Sequence, residues 1–163
     1  RRRTSNDRPC ARAMRGPLTY GSHMDLSISR PTRVADAYMP IWAPLLAFNE
    51  QTVGDAAGEP FALTITKPGD AEVLGGLWAL SLWGSFYIAL VIVPEAARSR
   101  GLGRRLMAMA ETEARRRDCR MVWLDTYAFQ ARGFYERLGF QSFGQIDGPP
   151  PIFPRYFMQK LLT

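Results

Sequence analysis

Between Glu72 and Glu95 the chain carries no charge for 22 residues, Val73–Pro94, VLGGLWALSLWGSFYIALVIVP. A stretch of that length and polarity has two physical outlets. It spans a bilayer as one helix, or it splits into two strands buried in a sheet. Gly75, Gly76, Ser81, Gly84 and Ser85 interrupt the run, and Trp83-Gly84-Ser85 sits near its middle like a turn. Two buried strands joined by a hairpin are therefore expected, and no membrane span.

The flanking segments extend that pattern. DLSISRP after Met24 alternates like a short strand, and TRVADAYMPIWAPLLAFNEQTVG has helical spacing. Thr32 is a candidate N-cap there, with Pro40 and Pro44 expected to break the helix into two pieces. PFALTITK reads as a strand and Pro68–Asp70 as a tight turn. Leu102 to Arg117 is the clearest helix, with Leu102, Leu106, Met109, Ala110 and Ala114 on its apolar face. Glu111 with Arg115, and Glu113 with Arg117, are i,i+4 pairs on its wet sides. MVWLDTY is a strand, and AFQARGFYERLG is a helix with Ala131, Phe134, Tyr135 and Leu138 on one stripe, stopped at Gly139. FQSFGQI and RYFMQKLL close the chain as strands around the proline-rich DGPPPIFP. The order predicts an α/β (α+β) fold with a mixed sheet and helices over its faces.

Charge excludes several functions. The formal net charge of the 163 residues is +6, but residues 1–23 contain six arginines against Asp7, which leaves the remaining chain at +1. Nucleic-acid binding loses its support. Gly21-Ser22-His23-Met24 resembles the scar of a cleaved expression tag, so residues 1–23 are read as a head and residues 24–163 as one domain. That division removes Cys10 and the lone histidine. Cys119 is left without a partner, which suits a reducing cytoplasm and excludes a histidine triad or a Cys/His metal site. No secretion signal follows Met24.

The chemistry starts at VIVPEAARSRGLGRRLMAMAE, Val91–Glu111, where a strand becomes a helix through two glycines and four arginines. A helix starting there exposes N–H groups without intrahelical partners, at the positive end of its dipole. Gly101 and Gly103 let a bulky anion approach the backbone, and Arg98, Arg100, Arg104 and Arg105 add attraction. No lysine follows Gly103, which excludes a P-loop. Leu106 occupies the third small position of a dinucleotide fingerprint, which excludes that motif too.

The sequence Arg98-Ser99-Arg100-Gly101-Leu102-Gly103 fits [RQ]-x-x-G-x-[GA] and resembles the acyl-coenzyme A signature of the GNAT superfamily of N-acetyltransferases. A second motif agrees at Ala131, Tyr135, Glu136, Arg137, Gly139 and Phe140. Ala128 stands where that superfamily usually has asparagine, so no side-chain hydrogen bond to the cofactor comes from this position. The wording LDTYAFQARGFYERLGF resembles small stand-alone bacterial acetyltransferases. The resemblance implies a GNAT-type, mostly antiparallel sheet of about seven strands flanked by about four helices. It also implies acetyl-coenzyme A as cofactor. Leu90, Val91, Ile92 and Val93 would lie along its pantetheine arm, residues Arg98–Arg104 at its diphosphate, and Ala131, Phe134 and Tyr135 beside it.

The implied reaction is direct attack of an amine on the thioester in a ternary complex. Tyr135 suits the acid for the departing thiolate, since a phenol stays protonated at neutral pH. It also lies on the apolar stripe and suits a core position. A backbone N–H near Leu90 or Val91 suits the oxyanion. For the base, Asp125 shares a strand face with Tyr127, Asn49 and Glu50 end the first helix, and a water relay is an equal alternative. The acceptor pocket is expected between Trp42–Glu50 and Asp147–Pro154, with Trp83, Tyr87 and Tyr127 among its aromatics. Few carboxylates accompany them, which favours a small amine or an amino acid with an apolar part over a polycationic aminoglycoside. A protein N-terminal or lysine acetyltransferase and a non-catalytic coenzyme A module are the alternatives, and a monomer or homodimer is expected.

Overall fold

The computed structural model describes residues 26–162. The arginine-rich head, with Cys10, His23 and Met24, lies outside the described residues. Leu26–Arg30 have no regular secondary structure, and Leu26 and Ile28 are exposed. Of the strand expected over Asp25–Pro31, the described residues Leu26–Pro31 form none, because two apolar residues in alternation bury too little to hold one. A 3-10 turn, Val34–Ala37, leads into α1, Tyr38–Val53. Here the expected break fails. Pro40 falls in the first turn, where its missing N–H has no intrahelical partner to lose, and Pro44 is carried inside an exposed helix at the loss of one bond.

The compact unit that begins at Ile41 contains the sheet. Its strands are β1 (Glu59–Ile65), β2 (Gly75–Leu82), β3 (Ser85–Ile92), β4 (Met121–Tyr127), β5 (Gln141–Ile146) and β6 (Arg155–Leu161). They lie in the order β1-β2-β3-β4-β6-β5, and every pairing is antiparallel except β3 with β4. The described residues therefore hold six strands where about seven were expected, and three α-helices where about four were. The uncharged run forms the β2–β3 hairpin, and no helix among the described residues is long and apolar enough to cross a membrane. Its turn, Trp83-Gly84, has positive φ at both residues (44° and 72°), the signature of a two-residue hairpin loop. A tryptophan in that conformation is uncommon. It is held by its backbone N–H donating to Ala56 O (3.0 Å) and its indole N–H donating to Gly54 O (3.4 Å).

α2 (Leu102–Arg116) connects the parallel pair and packs on β2, β3 and β4. Leu106, Met107, Ala110 and Ala114 are its buried residues, so Met107 rather than Met109 faces the core. They meet Leu77, Ala79, Phe86, Ile88, Val122 and Leu124, which alternate along β2, β3 and β4. Cys119, buried beyond the helix, is a free thiol, and burial raises its pKa. Arg117 fastens the same end to the sheet. Its guanidinium lies over the rings of Phe61 and Phe86 (5.7 and 5.8 Å), donates to Ser81 Oγ (3.1 Å) and pairs with Glu113 (2.7 Å). α3 (Arg132–Glu136) is a single short turn that seats Phe134 and Tyr135 against the core.

Gly76 admits no other residue. Its φ is 151°, and a Cβ there would meet Leu63 O at 2.0 Å. Gly76→Ala should lower stability by about 3 kcal/mol, a fall in melting temperature of roughly 6–12 °C in a thermal scan. Acid should loosen the other end of the sheet. Hydrogen bonds from Arg116 and Arg117 hold the Glu113 carboxyl down at about 2, against an ordinary 4.5. Its contribution is complete above pH 4.5 and is lost as pH falls toward 2. Melting temperatures measured across that window should fall more steeply in the parent than in Glu113→Gln.

Candidate active site

β3 pairs with β4 only from Ser85 to Ile88, opposite Met121 to Leu124, although both strands continue. The cause lies on the other side of β3. Against β2, Leu90 is opposite Trp78 and Ile88 is opposite Ala79, so Ala89 is an extra residue, a β-bulge. A bulge bends its strand and exchanges inward for outward positions. Phe86 and Ile88 face the core before it, Val91 and Val93 pack against the core after it, and Leu90 and Ile92 are left 65% and 57% exposed. From Ala89 to Ile92 the backbone edge turned toward β4 has no strand partner among the described residues.

The glycine-arginine loop follows at that open end. Ser99 and Gly101 have φ of 62° and 80°, and Gly101 caps α2. The first α2 bond is Arg105 N–H to Gly101 O (3.0 Å), and the N–H groups of Leu102, Gly103 and Arg104 meet no acceptor among the described residues. A Cβ on Gly101 would find nothing within 4 Å. At Gly103 one would stand 3.3 Å from the Phe134 ring and 3.7 Å from Val93, so this glycine also lets α2 approach α3. Arg98 turns back, its Nε–H donating to Val93 O (3.3 Å), and Arg100 and Arg104 are exposed.

Tyr135 sits beyond Phe134. Its ring contacts Phe134 and Phe140 (centroids 5.2 and 6.0 Å), and the residue is 8% exposed. The hydroxyl makes no hydrogen bond among the described residues, and no described buried side-chain oxygen lacks a partner. The hydroxyl oxygen therefore retains some contact with solvent. Burial, then the charge of Asp125, raises its pKa above the usual 10, so it stays protonated at neutral pH. Ala131 and Phe134 are half-buried beside it.

Asp125 accepts from Tyr87 Oη–H (3.2 Å) and from Arg155 Nε–H (2.6 Å). Tyr87 stacks on Trp123 (4.0 Å, 19°), and the Arg155 guanidinium lies 5.2 Å from the Tyr127 ring centre. Burial and then Asp125 raise the Tyr87 pKa, with Arg155 acting in the opposite direction. Beyond β4, Gln130 holds the turn. Its Oε1 accepts the Tyr127 N–H (2.8 Å), and Ala128 N–H donates to Pro154 O (2.8 Å). That turn presents Phe129 over Tyr127 and against the edge of Phe153.

The structure thus gathers Tyr87, Asp125 and Tyr127 and adds Arg155 and Phe129, which were not singled out. Glu50 and Trp83 meet elsewhere, at the hairpin turn, where the Glu50 carboxylate accepts the Ala56 N–H (3.3 Å). Asn49 is half-buried on α1 near that loop. Among the described residues no group of His, Cys, Asp and Glu is arranged to hold a metal ion.

The profile of the Acetyltransferase (GNAT) family matches residues 31–140. An acetyltransferase of Agrobacterium fabrum is 39% identical over 115 residues, 71% of this chain and 82% of that protein. Blasticidin-S acetyltransferase of Streptomyces morookaense is 37% identical over 92 residues, 56% of this chain and 68% of that protein. A crystal structure of an Agrobacterium tumefaciens protein superposes with a TM-score of 0.75 at 33% identity, covering 85% of this chain and all of the other.

Replacing Asp125 by asparagine removes the charge that opposes Tyr87 ionisation. In an ultraviolet pH titration of Asp125→Asn, with Tyr87→Phe to assign the signal, the Tyr87 transition should move down toward its ordinary value.

Proposed function

The chain belongs to the GNAT family of acetyltransferases and is an acyltransferase, and from that premise we propose that it transfers the acetyl group of acetyl-coenzyme A to the primary amine of a small molecule. The observation that carries this reading is the junction of two unpartnered backbone edges, β3 beyond Ala89 and the first turn of α2, whose Gly103 lies against Phe134, the ring neighbour of Tyr135. Open space over Gly101 and the free N–H groups after it fit a diphosphate, and the extended edge fits an amide-bearing arm.

When bound, the cofactor supplies an acetyl thioester, activated toward amines by its leaving thiolate. The chain's own groups divide the remaining work. The N–H groups of Leu102, Gly103 and Arg104 hold the diphosphate, with Arg100 and Arg104 adding attraction that salt screens. Leu90, Val91, Ile92 and Val93 would lie along the arm, and an N–H of that edge, near Leu90 or Val91, would be available to the thioester oxygen. The Tyr135 hydroxyl holds the proton that a departing thiolate needs. Ala131 and Phe134 pack the wall beside it. Asp125 has lone pairs beyond those used by Tyr87 and Arg155, and these would accept a hydrogen bond from the acceptor nitrogen, whose lost proton passes through solvent to restore the Tyr135 hydroxyl.

The acceptor is read as a small molecule for two reasons. The Streptomyces relative carries blasticidin S in its name. The Asp125 cluster also adjoins an apolar groove lined by the rings of Tyr127, Phe129 and Phe153. Release of free thiol from acetyl-coenzyme A in the presence of a broad primary-amine panel tests the activity. Tyr135→Phe should lower kcat by about 100-fold with little change in KM. An unchanged kcat would remove Tyr135 from proton transfer, and no thiol release with any amine would overturn the reading.

A further inference from the structure

Past Asp125, the ends of β4 and β5 and the loop into β6 line an open groove of about 550 Å³. Resting on the acetyltransferase reading above, we propose that the acceptor is a monoamine built on an uncharged planar ring, with the ring held here by Phe129 and Phe153.

The walls are apolar and half aromatic: Tyr127, Phe129 and Phe153 with Ile146, Pro151 and Ile152, and Arg155 at one side. Phe129 and Phe153 are 64% and 60% exposed, large apolar side chains on a surface that does not cover them. They are nonetheless ordered against one another. Phe129 lies flat against Tyr127 (5.3 Å, 11°) and meets Phe153 edge to face (5.2 Å, 80°). Such an array presents ring faces and edges to whatever enters, and a planar ring satisfies them better than a flexible chain of equal area. The volume suits a molecule of one or two rings.

Charge narrows the class further. Arg155 is the sole charged residue lining the groove, and Asp125 compensates its guanidinium at 2.6 Å. The lining itself offers no carboxylate for a second ammonium group and no uncompensated cation for a carboxylate. A second charge on the acceptor would therefore gain no counter-charge from these walls, so polyamines and acidic acceptors have no advantage over a monoamine here. One amine is accommodated. Asp125 and Tyr127 lie two residues apart on the same face of β4, roughly 7 Å along the strand. A ring placed beside Tyr127 and joined to nitrogen by a one- or two-carbon arm brings that nitrogen to Asp125.

The test compares 2-phenylethylamine with n-hexylamine and spermidine on the purified full chain. Two readouts are used: direct binding by saturation-transfer nuclear magnetic resonance, and thiol release from acetyl-coenzyme A. The ring amine should bind and turn over with about three- to tenfold higher affinity and kcat/KM than n-hexylamine, the size of an aromatic contact beyond its buried area. Spermidine should be the poorest. In Phe129→Leu and Phe153→Leu the KM for 2-phenylethylamine should rise about fivefold, with coenzyme A binding in the same samples reporting an intact fold. Turnover of all three amines without a ring preference would leave the family activity standing and overturn this assignment. Ring binding without turnover of any amine would overturn the acetyltransferase reading on which it rests.

Discussion

One surplus residue in β3 determines how the rest of the molecule can be used. Ala89 is the point at which β3 leaves its regular pairing with β2, and β3 parts from β4 at the same place. Without it, alternation from Phe86 and Ile88 would point Leu90 and Ile92 into the core. With it, Val91 and Val93 take those places, and a strand in the middle of the sheet acquires a free backbone edge. A central strand ordinarily has no such edge. Among the described residues, the parting of β3 and β4 leaves room for an extended ligand to add main-chain hydrogen bonds within this sheet without displacing a strand.

The neighbouring elements are fixed around that opening. α2 begins at its mouth because Gly101 adopts the left-handed conformation that ends the loop, and Gly103 allows the first turn to touch Phe134. The far end of the same helix is clamped by Arg117, whose guanidinium reaches β1 and β2 and pairs with Glu113. Lys160 of β6 pairs with Glu111 midway along it (2.7 Å). The free N–H groups therefore sit on an element held at three points, which keeps them directed without reorganisation when a ligand arrives. On the other face of β4, Asp125 is held by Tyr87 from β3 and by Arg155 from β6, and so spans the two strands that flank it.

What was legible in the chain depended on distance along it. The hairpin, α2 and the glycine-arginine loop rest on local signals: turn glycines, a helical period, and unpaired N–H groups at a helix start. The hairpin and α2 are found where they were expected, with Gly101 left-handed at the helix start. The second motif placed Tyr135 on a helix stripe, but the solvent contact of its hydroxyl depends on how Phe134 and Phe140 pack around it. The Asp125 cluster was half legible. Alternation put Asp125 and Tyr127 on one face, while Arg155 joins them through the β4–β6 register, which no local pattern encodes. The bulge at Ala89 left no mark either, since an alanine among apolar residues reads as ordinary strand. Met109 was preferred to Met107 because either fits a 3.6-residue period within one position. Pro40 and Pro44 overstated a break that an exposed helix tolerates.

The central claim is that amides on two separate elements, the first turn of α2 and β3 after its bulge, serve one ligand. Backbone amide resonances followed during titration with coenzyme A test it most directly. The account predicts that Leu102, Gly103 and Arg104 shift together with residues of Leu90–Val93, along a single saturation curve. Shifts confined to one of the two elements, or a titration in which both remain still, would contradict it.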